Sequence, residues 1–177
     1  MTTSLYDLSV ASFLQGLEGV AGYLDKGLHW CRETNADPET IVEARLYPDM
    51  LPFRFQVMQA VRHSAGALDV IKTGAVNFDR DRTSHDYAAL QGLVATARES
   101  LSTLTREEVD ARGGLDVLMD TPGNRRVFTA ETFILSFSLP NFYFHAATAY
   151  DILRTTGVPV GKRDFMGPLR LKAKPDE

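Results

Sequence analysis

Glu131-Thr132-Phe133-Ile134-Leu135-Ser136-Phe137-Ser138-Leu139-Pro140-Asn141-Phe142-Tyr143-Phe144-His145-Ala146-Ala147-Thr148-Ala149-Tyr150-Asp151 carries 19 residues without a formal charge between its two terminal carboxylates. A membrane span needs about 20 mostly apolar residues, but Ser136, Ser138, Pro140, Asn141, His145 and Thr148 interrupt this one. A helix apolar on nearly all sides belongs at the centre of a bundle or against a partner subunit, and both roles are expected here. Its polar residues are ordered. Ser138, Asn141, His145 and Thr148 follow at steps of three, four and three, one row along one helix face. A buried polar group without a hydrogen bond costs about 1–3 kcal/mol, so the row is expected to turn inward, onto a pocket or a polar network. A solvent face would carry Lys or Glu, and neither occurs before Asp151.

Three further helices are expected around this one. Val10, Phe13, Leu14, Leu17, Val20, Ala21, Leu24 and Leu28 keep helical spacing, predicting helix one over about 5–31. Gly16, Gly19, Gly22 and Gly27 each cost roughly 1 kcal/mol there against Ala, and the close approach of another element is the expected compensation. Asp37-Pro38-Glu39 reads as a cap and first turn of a short helix to about Arg45. Past Pro48 and Pro52, the stripe Phe55, Met58, Val61, Ala65, Leu68, Ile71 predicts helix two, ending at Gly74. An irregular crossing over 75–83 follows, and Thr83 or Ser84 is expected to cap helix three, which carries Tyr87, Leu90, Leu93, Val94, Ala97, Leu101 and Leu104. Thr105-Arg106-Glu107-Glu108 matches a capping box for a short turn closed by Gly113-Gly114. Between Leu115 and Thr129 the apolar residues alternate about the turn cluster 120–124, predicting a small hairpin before helix four. The tail beyond Gly157 is expected to be loop.

At 177 residues the chain suffices for one domain, expected over 1–167 with a tail at 168–177. Lys plus Arg is 19 against Asp plus Glu 23, a formal charge of −4, without the positive field that phosphate-backbone binding requires. Nucleic-acid binding and membrane insertion are therefore not expected. The lone Cys31 allows no internal disulfide and 1–8 shows no basic-then-apolar leader, which predicts a cytoplasmic protein.

Neither GxSxG, a Walker loop, GxGxxG, HExxH nor CxxC occurs. Cys31 falls at a predicted helix C-terminus, where the dipole opposes a thiolate. Of the four histidines, His85 beside Asp86 reads as capping and His29 as surface or helix-end packing. No two share the i, i+3 or i+4 spacing of a helical metal motif. His63 on helix two and His145 on helix four could meet across the core, either as hydrogen-bonded core residues or as part of a divalent site.

The run Leu139-Pro140-Asn141-Phe142-Tyr143-Phe144-His145, continuing through Ala149-Tyr150-Asp151-Ile152-Leu153-Arg154, Gly157-Val158 and Gly161-Lys162-Arg163-Asp164-Phe165, resembles the C-terminal signature of a bacterial domain-of-unknown-function family. That family is placed among the DinB/YfiT-like four-helix bundles. Leu46-Tyr47-Pro48-Asp49-Met50-Leu51-Pro52-Phe53 with Gln56-Val57 resembles the start of its helix two. The resemblance implies an all-α, up-down-down-up bundle with a long second-to-third connection, often a homodimer. In the wider superfamily a nickel or zinc ion is held by one histidine on helix two and two, four residues apart, on helix four. His63 and His145 match the first two positions; the third is Ala149, which cannot ligate.

Two functions follow as expectations. One is a metal-dependent small-molecule transferase or hydrolase with a degenerate ligand set, its pocket between helices two and four, with His63 and His145 holding a metal or acting as base and Ser138, Asn141 and Thr148 lining the pocket. The other is a non-catalytic homodimeric module binding a small ligand or none. The dimer is suggested by Phe133, Phe137, Phe142, Phe144 and Tyr150, which point several ways.

Overall fold

The computed structural model describes residues 3–77 and 84–172. Helix one is present but interrupted: α1 (Leu5–Leu8) stops at Ser9, and α2 (Val10–Thr34) continues three residues past the expected end. The Ser9 hydroxyl donates to the Leu5 carbonyl at 2.6 Å, a back-bond that bends helices. Asn35 closes α2 in the left-handed conformation. A short α3 (Glu39–Val42) follows, ending before the expected Arg45, with Asp37 accepting from the Glu39 N–H at 3.0 Å.

Helix two is likewise divided, into α4 (Phe53–Arg62) and α5 (Ala65–Thr73), with His63 and Ser64 at the break. Helix three is α6 (Tyr87–Ser102). Its cap is Asp86, whose carboxylate accepts from the Ala89 N–H at 2.7 Å, rather than the expected Ser84; Thr83 lies outside the described residues. Next comes α7 (Arg106–Asp110), with the Thr105/Glu108 capping box in place.

The expected hairpin is formed by β1 (Asp116–Thr121) and β2 (Asn124–Thr129), antiparallel, with Thr121 opposite Asn124 across Pro122-Gly123. Gly123 takes φ +78°, as the third position of a type II turn requires. Val117 and Met119 alternate into the core, and Ala75 bridges Leu118 to tie the hairpin to the end of helix two.

Helix four runs through α8 (Ala130–Phe133), a π-turn at Ile134–Ser138 and α9 (Leu139–Thr156). Pro140 has no N–H for the carbonyl four residues back, so the ladder widens just before it. The tail is not all loop. Gly161 and Gly167 bracket α10 (Lys162–Met166), with Asp164 bonding back to the Gly161 N–H at 2.8 Å.

The glycines of α2 are explained by three different neighbours. A Cβ at Gly16 would sit 2.4 Å from the Phe142 ring on α9, one at Gly19 2.4 Å from the Phe165 carbonyl on α10, and one at Gly27 2.3 Å from the Tyr87 hydroxyl on α6. Gly22 meets nothing. Two buried tyrosines stitch the same contacts: Tyr23 donates to the Ala146 carbonyl at 3.2 Å and Tyr87 to the Leu24 carbonyl at 2.8 Å. Burial pushes both phenols well above their ordinary pKa. Among the described residues no helix is long and apolar enough to cross a membrane.

Candidate functional site

Of the row on helix four, Ser138 and His145 bond across to helix two, while Asn141 and Thr148 bond within their own helix. Ser138 is fully buried and donates to the backbone carbonyl of His63 at 3.1 Å. That carbonyl belongs to the residue ending α4, where helix carbonyls lose their partners. The hydroxyl on the wide turn of one helix thus satisfies the break in the other. Asn141, half-buried, donates to the Phe137 carbonyl at 2.7 Å, and Thr148, buried, to the Phe144 carbonyl at 2.7 Å; both bonds stay within the helix.

His145 reaches across. Its Nδ1 lies 2.8 Å from Oε1 of Gln56 on α4. Gln56 is 3% exposed, and its Nε2 donates to the Leu51 carbonyl at 2.8 Å. A carbonyl accepts only from the amide nitrogen, so that bond fixes which way the carboxamide points. Oε1 can only accept; His145 therefore carries its proton on Nδ1, and Nε2 keeps its lone pair.

His63 and His145 stand face to face in orientation, ring centres 5.8 Å apart and planes within 8°. Phe137 packs edge-on to His63 at 5.4 Å, while Phe55 and Phe144 pack edge-on to His145 at 5.9 and 5.2 Å. Burial holds both imidazoles near pKa 4, with His145 and Arg62 contributing at His63. Both are neutral at pH 7. Among the described residues no fully enclosed side-chain nitrogen or oxygen lacks a hydrogen bond. The unpartnered nitrogens, Nε2 of His145 and both of His63, therefore touch solvent.

Whether this pair suits a divalent ion depends on the donor set. Two imidazoles at about 2.0–2.1 Å from one zinc hold their ring centres roughly 5–6 Å apart, but each lone pair lies in its own ring plane, and two parallel rings stacked face to face do not aim at one ion. The set stops there, because Ala149, one turn beyond His145, is a buried methyl and Oε1 of Gln56 is engaged by Nδ1. Among the described residues no three His, Cys, Asp or Glu side chains gather into a metal-binding group. The residues present do not make a three-ligand centre.

Sequence reading brought His63, His145 and Ser138 to this place but missed Gln56, Phe55 and the Leu51 carbonyl. One signal existed: Gln56 precedes His63 by seven residues, two helical turns on the same face. Among the described residues, the clefts beside Leu68 and Arg112, beside Gly16 and Phe142, and beside Leu14 and Pro168 are not lined by the row. His29 pairs with Glu33 at 3.2 Å on the surface, and Cys31 is buried with its thiol pKa raised by desolvation.

No curated protein matches the chain. It superposes on the crystal structure of a DinB family member from Shewanella denitrificans with a TM-score of 0.81 and 26% identity, 96% of each chain being covered. The family model described as "Domain of unknown function (DUF1993)" matches residues 5–166, a span that holds both histidines, Gln56 and the whole polar row, and the chain belongs to that family.

Proposed function

We propose that the chain is a non-catalytic small-ligand-binding module built on a DinB-like, up-down-down-up bundle, and that His63 and His145 serve it as neutral hydrogen-bond acceptors. The observation that carries this is the Leu51–Gln56–His145 relay, which holds one imidazole in a single tautomer with its Nε2 lone pair unused. Magnitude decides between acceptor and base. A general base works best with a pKa near the operating pH, and imidazoles held near 4 are poor proton acceptors at pH 7. The same depression keeps them uncharged and ready to accept. The ligand class is a hydroxyl or N–H donor on an aromatic or apolar body, matching the edges of Phe55, Phe137 and Phe144.

Phenol is a suitable probe. Titrated into the protein, it should shift the ring C–H resonances of His63 and His145, and His145→Ala should abolish the effect. Equilibrium dialysis against zinc or nickel should leave no stoichiometric metal. One ion bound per chain and lost in His145→Ala would replace this reading with the metal-dependent one.

Association of two copies belongs to the same proposal. Leu135, Tyr143 and Phe144 on helix four are 48%, 44% and 57% exposed, more apolar surface than a lone bundle helix presents to water. Light scattering at micromolar concentration should give twice the chain mass; a monomer would contradict the dimer.

A further inference from the structure

We infer that a cleft of about 300 Å3 between α5, α6 and α7 is a binding site for a small carboxylate carried on an apolar body, independent of the histidine pair. Its volume is at the lower end of the range for ligand cavities. Leu68 and Ile71 of α5, Leu101 of α6, Leu104 just beyond it, and Val109 of α7 supply the apolar lining. Three elements converge there without closing over it.

The rim decides the ligand's charge. It carries Asp69, Lys72, Glu108 and Arg112, two of each sign, but they are not equally available. Oε2 of Glu108 accepts from the Thr105 N–H at 2.9 Å and hydroxyl at 2.7 Å, so that carboxylate is committed to capping α7. Asp69 lies on the exposed side of α5, three residues before Lys72. Arg112 is half-buried, and its guanidinium makes no hydrogen bond or ion pair with any other described residue. A planar fork of donors beside an apolar floor fits a carboxylate in bidentate fashion; Lys72 is exposed and its charge already acts on Glu108, so Arg112 is the cation the rim leaves for a ligand.

Octanoate is the probe, with octanol as its uncharged counterpart, followed by calorimetry and by methyl resonances. Octanoate should bind and shift the methyls of Leu68, Leu101, Leu104 and Val109, and Arg112→Gln, a surface change that leaves the core intact, should weaken it about tenfold. Leu104→Trp, checked for folding by circular dichroism, should block the cleft. The inference is overturned if octanoate fails to bind at millimolar concentration, if octanol binds as tightly, if Arg112→Gln binds unchanged, or if the shifted methyls lie elsewhere.

Discussion

Gln56 is the residue on which the site's chemistry turns, because it converts a hydrogen bond to the Leu51 carbonyl into the tautomer of His145, 89 positions away. Gln56→Leu keeps the volume but strands both the Nδ1–H and the Leu51 carbonyl. It should cost about 1–3 kcal/mol in urea denaturation, whereas a cost near zero would mean the relay is not formed. The histidines themselves make stability depend on pH. Their folded values near 4 lie below the ordinary 6.5, so between those limits the unfolded chain takes up protons that the folded one refuses. Stability is complete above pH 6.5 and falls as pH drops toward 4. At about 1.4 kcal/mol per pKa unit the loss is on the order of several kcal/mol for the pair. Asp7, Glu108, Glu131 and Asp164, all held below their ordinary values mainly by hydrogen bonds, lose their contributions only further down. Denaturation midpoints at pH 7 and pH 5 should therefore differ, and His145→Phe should narrow the difference; an equal drop in the variant would place the effect elsewhere. His63 and His145 were legible because histidines are few and one lies in an uncharged helix. Gln56 was not, since nothing local marks a glutamine whose partner lies on another helix.

At the scale of elements, the sequence was most informative where the deciding interaction is local. The Thr105/Glu108 capping box and the Pro122-Gly123 turn each lie within four residues, and both form. Breaks in helices were harder to see. Ser9 and Ser64 divide their helices by bonding to carbonyls four residues back, at 2.6 and 2.7 Å, and an apolar stripe passes through such a break without losing phase. α10 is too short to show a period, and its place is set by its seat on α2. That seat is testable. Gly19→Ala would press a methyl against the Phe165 carbonyl, backbone that cannot rotate away. The variant should lose about 1–3 kcal/mol and show faster amide exchange at the Phe165 N–H, which bonds to the Gly161 carbonyl; unchanged exchange would mean that α10 is not held by this contact. Ser138→Ala, removing the donor that bridges the π-turn and the end of α4, should cost about 1 kcal/mol or more.

Across the whole molecule, two irregularities that would each weaken a lone helix are set opposite one another. The break at His63-Ser64 faces the π-turn at Ile134–Ser138, and the imidazole pair stands at that junction. Local departures from helix geometry of this kind gather at functional positions. The superposition on the DinB family structure covers 96% of both chains, and the residue one turn beyond His145 is Ala149, which cannot ligate a metal. The most direct test is the nitrogen-15 spectrum of the histidine rings at pH 7, with and without equimolar zinc. His145 should be protonated at Nδ1 and bare at Nε2, His63 neutral, and both unchanged by the metal. A proton on Nε2 of His145, or ring nitrogens that move together on adding zinc, would contradict that.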